Sequence, residues 1–152
     1  MQLHSSMDSI QITSILLNNS ITGKYFGGVY PSDMLPKIAQ KKAYVSNVDG
    51  SRFRGSHWVA IFFKNKGEAY YFDSFGLPPI KKDFEVFLDE NSHTWLWNTK
   101  QIQELGSDAC GQYCIHFLIH CCLGHDMSSF VKLYSGKTRD NDLLVKDYIS
   151  RL

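Results

Sequence analysis

The stretch His57-Trp58-Val59-Ala60-Ile61-Phe62-Phe63-Lys64-Asn65-Lys66-Gly67-Glu68-Ala69-Tyr70-Tyr71-Phe72-Asp73-Ser74-Phe75 decides the fold. Two runs dense in β-branched and aromatic residues flank Asn65-Lys66-Gly67, a hairpin signal. Both runs, His57–Lys64 and Glu68–Phe75, are nearly continuous in apolar residues, so both are predicted to lie centrally in a sheet. Pairing Ile61–Lys64 with Glu68–Tyr71 around the turn brings Asp73 close to His57. A carboxylate in an apolar strand is costly unless paired, and a histidine at the strand mouth is a suitable partner.

The second informative stretch is Asp108-Ala109-Cys110-Gly111. It follows the polar turn Glu104-Leu105-Gly106-Ser107 and opens an apolar segment that runs to Leu123. Residues 110, 113, 114, 117, 118, 121 and 122 recur with helical spacing, and Ile115 and Ile119 extend the apolar surface, so this helix is expected to be buried. Gly124 is its expected stop. A cysteine at a helix start sits among unpaired N–H groups and partial positive charge, which favour the thiolate, the nucleophilic form.

Working outward, residues 7–19 read as a first helix capped by Asp8 or Ser6 and ended by Asn18-Asn19. Tyr25–Pro31 reads as a glycine-broken aromatic loop, Ser32–Leu35 as a short helix, and Ala43–Val48 as a strand followed by a polar loop from Asp49-Gly50 to Gly55. Pro78-Pro79 introduces a helix with Ile80, Phe84, Phe87 and Leu88 on one face. Thr94–Asn98 and Lys100–Gln103 read as short strands. A last helix over Asp140–Arg151 is expected to place Leu143, Leu144 and Tyr148 on one face. The order predicts an α+β layer structure, a mixed sheet packed on a central helix that carries Cys110.

The 152 residues fit one domain. Hydrophobic residues make up 43% and charged residues 20%, an ordinary globular composition. Sixteen basic and fifteen acidic residues leave a net charge of +1, which gives no electrostatic case for a dedicated nucleic-acid binder. The basic pairs Lys41-Lys42 and Lys81-Lys82, and Arg52 and Arg54, read as solvated. The four cysteines, Cys110, Cys114, Cys121 and Cys122, lie on one predicted helix and cannot staple distant parts of a fold, so a reducing compartment is expected. Met1–Asp8 lacks a signal pattern and no run reaches transmembrane length, so neither a leader nor membrane association is expected. His116 and His120 stand at i, i+4, but no His-Glu-x-x-His or Cys-x-x-Cys pattern accompanies them and no metal site is expected.

Each candidate has a plain alternative: Cys110 as a small buried hydrophobe, His57 as a satisfied strand-end histidine, Asp73 as a strand terminator. Together they supply a nucleophile, a base and a group to orient the base. Acyl transfer also needs donors for an oxyanion. The Cys110 N–H is one, and Gln103, seven residues earlier, is a candidate second, with Gln101 and Gln112 as competitors.

Gly55-Ser56-His57-Trp58-Val59-Ala60, Tyr71-Phe72-Asp73-Ser74-Phe75-Gly76, Gln103 and Asp108-Ala109-Cys110-Gly111-Gln112-Tyr113-Cys114 resemble the adenovirus-type maturation cysteine proteases (adenain-like). These share a fold group with the ubiquitin-like-protein proteases and have relatives in Polinton-type transposons and virophages. Tyr25–Tyr30 and Met34-Leu35 resemble the family's N-terminal segment. The resemblance implies Cys110 as nucleophile, His57 as base, Asp73 as orienting acid, Gln103 in the oxyanion hole, and Trp58 in a narrow substrate slot favouring glycine. It implies cleavage of viral capsid and core precursor proteins at small-residue sites during virion maturation, in the virion or the host nucleus or cytoplasm, by a monomer.

Three departures bear on activation and partners. The acid is Asp73, where adenoviral enzymes carry glutamate and the wider group commonly aspartate. There is no cysteine before Cys110 to bond a peptide activator, which leaves only a non-covalent one. The adenoviral enzymes are strongly basic and use DNA as a cofactor, whereas net charge +1 does not favour DNA activation, and no cofactor is required by the residues themselves. The alternative activities are a deubiquitinase- or deSUMOylase-like isopeptidase acting on host conjugates, an acetyltransferase with a similar residue set, and an inactive binding module.

Overall fold

The computed structural model describes residues 6–51 and 57–152. Its elements are α1 (Ser9–Asn18), β1 (Phe26–Pro31), a 3-10 turn (Ser32–Met34), β2 (Ala43–Asn47), β3 (Trp58–Phe63), β4 (Glu68–Phe72), α2 (Lys82–Asn91), β5 (Thr94–Trp97), α3 (Cys110–Cys122), α4 (Met127–Val131) and α5 (Thr138–Ser150). The five strands form one mixed sheet in chain order. The β2–β3 and β3–β4 pairs are antiparallel, and the outer pairs β1–β2 and β4–β5 are parallel.

The β3–β4 hairpin has the expected register, with Ile61 opposite Tyr71, Phe63 opposite Ala69 and the Lys64 N–H donating to Glu68 O at 3.0 Å. Side chains alternate across a strand, and here both faces are covered. Trp58, Ala60, Phe62, Tyr70 and Phe72 join a core with α1, α3, α4 and α5, whereas Val59, Ile61, Phe63, Ala69 and Tyr71 pack under α2 with Phe84, Phe87 and Leu88. Two covered faces explain the unbroken apolar runs. The α+β architecture, a mixed sheet packed on a buried helix that begins at Cys110, is as the sequence predicts.

Four local expectations are corrected. The glycine-rich segment Phe26–Pro31 is a bulged edge strand rather than a loop, its register shifting between Phe26 and Gly28. A Cβ at Gly27 would stand 2.3 Å from the Tyr44 ring, so glycine here serves close approach to β2. Ile80 precedes α2 and is exposed. Lys100–Gln103 forms no strand; the Ile102 and Gln103 N–H groups share Ser74 O instead. In α5, Leu143 and Leu144 face outward, and the buried face is Asn141, Asp142, Val145 and Ile149. Two polar residues on that inner face defeat a hydrophobic-face reading. Helix α4, five residues capped by Asp126 accepting from the Ser129 N–H, was not foreseen.

The helix ends otherwise follow from their residues. Asp8 and Gln11 make a reciprocal capping box on α1. Gly124, at φ +97°, closes α3 with its N–H on Cys121 O.

Candidate active site

Three chain ends converge at one end of β3. His57 immediately precedes β3, and its carbonyl accepts from the Val48 N–H at 3.0 Å, which holds the base at the sheet end. Asp73 immediately follows β4. Its Oδ1 lies 3.0 Å from His57 Nε2 and accepts the Phe75 N–H at 2.8 Å. The Phe75 ring stacks on the His57 imidazole, centroids 5.0 Å apart and 29° between planes. The hairpin register carries this through, because continuing it past Ala60–Phe72 sets residue 57 opposite residue 75.

Asp73 is 3% exposed. A carboxylate so buried needs its backbone and its charge satisfied. Asn98, just past β5, accepts from the Asp73 N–H at 3.0 Å and donates through Nδ2 to Asp73 O at 2.6 Å.

Cys110 is the first residue of α3, and no side chain caps that helix start. First-turn N–H groups are therefore available beside the sulfur. Burial pulls the His57 pKa down, but hydrogen bonds to Asp73 and Cys110 and the negative charges of both outweigh it and raise the imidazole to about 9. With Nε2 on Asp73, Nδ1 is the nitrogen that remains for Cys110. The other cysteines behave differently. Burial lifts the Cys114 thiol well above its ordinary value, lifts Cys121 strongly, and pushes Cys122 up to about 11. Cys114 and Cys121 are core thiols, Cys122 is half-buried at the end of α3, and Cys110 alone among the four meets a base.

Gln103 is fully buried beside this cluster. Its Oε1 accepts from Ser74 Oγ at 2.5 Å, and its Nε2 donates to Ser107 O at 2.9 Å and Ser107 Oγ at 3.0 Å. The Ser107 carbonyl, which can only accept, fixes which end of the amide is nitrogen, so the donor end points at the turn that leads into Cys110. Gln101 donates to Gln103 O, and Gln112 is buried in the first turn of α3. The segment bearing Gln103 hangs on the helices beyond it. Ile102 O accepts from Asn141 Nδ2 and Tyr113 OH, Asp142 accepts from Tyr113 OH at 2.6 Å, and Lys100 Nζ donates to Tyr134 O. Trp58 is buried, and its indole N–H donates to Met7 O at 2.9 Å.

Histidines 116, 120 and 125 are otherwise occupied. His116 Nδ1 meets Tyr134 OH at 2.5 Å, His120 Nε2 meets Ser129 Oγ at 2.7 Å, and the His120 and His125 rings lie 4.8 Å apart. Among the described residues no group of three or more His, Cys, Asp or Glu side chains is placed to hold a metal ion, and no helix is long and apolar enough to cross a membrane. Arg52, Arg54, Gly55 and Ser56 lie outside the described residues.

Sequence reasoning missed Asn98, Phe75, Ser74 and Ser107. Phe75 was legible as the residue opposite His57 in the register. Asn98 carries no sequence signal, since an asparagine after a strand is an ordinary terminator.

No protein-family model matches the chain, and no curated protein matches it. Among solved structures it is similar to the crystal structure of the ASFV pS273R protease, with a TM-score of 0.52 and 19% identity over 70% of this chain. The match spans 43% of that protease's chain. At this identity the likeness is one of fold, the α+β sheet-and-helix arrangement described above.

Proposed function

We propose that the chain is a cysteine endopeptidase with a Cys110-His57-Asp73 triad, cleaving viral capsid and core precursor proteins at small-residue sites during virion maturation. The observation that carries the peptidase reading is the 3.0 Å His57–Asp73 contact, with Cys110, the one cysteine at a helix start, close enough to raise the same imidazole. The viral maturation role rests on the motif resemblance, and the fold likeness to a protease whose name carries a viral source is in keeping with it.

In this reading the Cys110 proton already rests on His57, and the thiolate sulfur attacks the scissile carbonyl carbon. The Cys110 N–H and the Gln103 amide hold the oxyanion, the latter exchanging a Ser107 contact for it. The His57 imidazolium then gives its proton to the leaving amine. Water, with His57 as base, releases the acyl group and regenerates the thiolate. Asp73 and Phe75 hold the ring in position throughout. Trp58 walls the substrate slot. The enzyme acts on protein substrates as a monomer in a reducing compartment, with no resident cofactor in the chemistry; a peptide or DNA activator would act from outside the site.

The test is incubation with capsid and core precursor proteins, followed by mapping of new N-termini. Cleavage after or before small residues by the wild type, absent in Cys110→Ala, is expected. Intact precursors together with processed ubiquitin-like conjugates would move the function to isopeptidase.

A further inference from the structure

Beside the base lies a groove of about 560 Å³ whose walls include Met7, Asp8, Tyr30, Asn47, Ser51 and Trp58. Asn47 ends β2, pairs across the sheet with Trp58, and directly precedes Val48, whose N–H is bonded to His57 O. The groove and the base are thus joined through two consecutive residues.

The Asn47 side chain is only half satisfied. The residue is 6% exposed, and its Oδ1 accepts the Asp49 N–H at 3.0 Å. That donor fixes the amide orientation, because a backbone N–H must face oxygen. The Nδ2 end has two hydrogens and no acceptor among the described residues, while the residue lines the groove. The Nδ2 end stays open to solvent at the groove, so a ligand carbonyl would take the place of water as its acceptor. Trp58, the neighbouring wall, is held by its bond to Met7 O and so offers a fixed apolar surface rather than a competing donor.

Resting on the peptidase reading above, we propose that Asn47 is a substrate-positioning residue: its Nδ2 donates to a backbone carbonyl of an extended peptide lying in this groove. A carbonyl recurs at every residue, so this bond sets register and extension of the peptide without reading its side chains. Walls that include Tyr30 and Trp58 favour a slender peptide backbone over a folded surface.

The test uses three electrophiles on the intact protein: iodoacetamide, acetyl-glycine vinyl sulfone, and an acetylated tetrapeptide vinyl sulfone ending in Gly-Gly. Each forms a thioether with Cys110; in the sulfones the thiolate adds to the β-carbon and the α-carbon takes a proton. Only the tetrapeptide is long enough to extend into the groove. In the wild type the tetrapeptide should label faster than the single-residue sulfone. Asn47→Asp keeps the acceptor for the Asp49 N–H and loses the donor, and it should reduce that advantage by about tenfold with iodoacetamide labelling unchanged. Asn47→Ala loses both groups. Donor loss predicts that Asp and Ala variants are equally impaired or Asp the worse; a merely structural Asn47 predicts Ala the worse, with iodoacetamide labelling slowed as well. A wild-type advantage for the tetrapeptide in Asn47→Asp, or no advantage in the wild type itself, would overturn the proposal. Cys110 reacting with iodoacetamide no faster than free cysteine would instead overturn the peptidase reading beneath it.

Discussion

Asn98 holds Asp73 by both backbone groups, accepting its N–H at 3.0 Å and donating to its carbonyl at 2.6 Å. The carboxylate that orients His57 is therefore aimed from the end of the neighbouring strand β5, by a residue that touches neither His57 nor Cys110 through any hydrogen bond in the structure. Misplacing a reacting group by a fraction of its contact distance is expensive in rate. Asn98→Leu should lower kcat/KM by roughly tenfold or more, mostly in kcat. Steady-state rates on any cleaved peptide check this, and Asn98→Asp, which keeps the acceptor, should recover part of the loss.

The imidazole has a pH signature. His57 is raised to about 9 in the folded protein from an unfolded value near 6.5. A raised base contributes stability that is fully present below 6.5 and is lost as pH rises through about 9. The size is on the order of 3 kcal/mol. Thermal unfolding followed from pH 6 to pH 10, on the order of the histidine range and above it, should show a decline in the wild type that is absent in His57→Gln. The same deprotonation removes the acid that serves the leaving amine, so kcat/KM should fall above about pH 9, and Asp73→Asn should move that limb downward.

Gln103 is expected to act only in the transition state. Gln103→Ala should reduce kcat by about 10²-fold with little change in KM. Ser107→Ala frees one amide hydrogen of Gln103, and its kcat should equal or exceed the wild type. Wild-type kcat in Gln103→Ala would remove Gln103 from the oxyanion role, and a slow Ser107→Ala would show that the turn positions the glutamine rather than competing for it.

The hairpin is anchored by Phe72, fully buried, stacked on Phe117 of α3 with centroids 4.6 Å apart and edge-on to Phe130 of α4. Phe72→Ala opens a cavity directly before Asp73 and should destabilise the protein by about 4 kcal/mol in urea titration. Leu143→Ala on α5 should cost little, about 0.5 kcal/mol or less, because that side chain faces solvent.

The centre of the molecule was legible because its rules are local and strong. Asn65-Lys66-Gly67 sets the hairpin register, and the register alone brings residues 57 and 73 together; the spacing from 110 to 122 forces α3 inward. The edges were not, because there polar residues do what apolar ones do in the centre. Asn141 and Asp142 are buried on α5 to hold the Ile102 carbonyl and the Tyr113 hydroxyl, and a hydrophobic-face reading turns that helix the wrong way. Gly27 and Gly28 read as a loop, yet glycine is what lets β1 approach Tyr44. Asn98 and Asn47 lie at strand ends, where asparagine is the common terminator, and only the three-dimensional positions of their amides distinguish them.

Covalent catalysis at Cys110 is the central claim, and mass spectrometry of the protein quenched in acid while it turns over the p-nitrophenyl ester of acetyl-glycine tests it most directly. One acyl group, placed on Cys110 itself by fragmentation of the digested protein and absent in His57→Ala, is the predicted result. No adduct, or acylation spread over Cys114, Cys121 and Cys122, would contradict it.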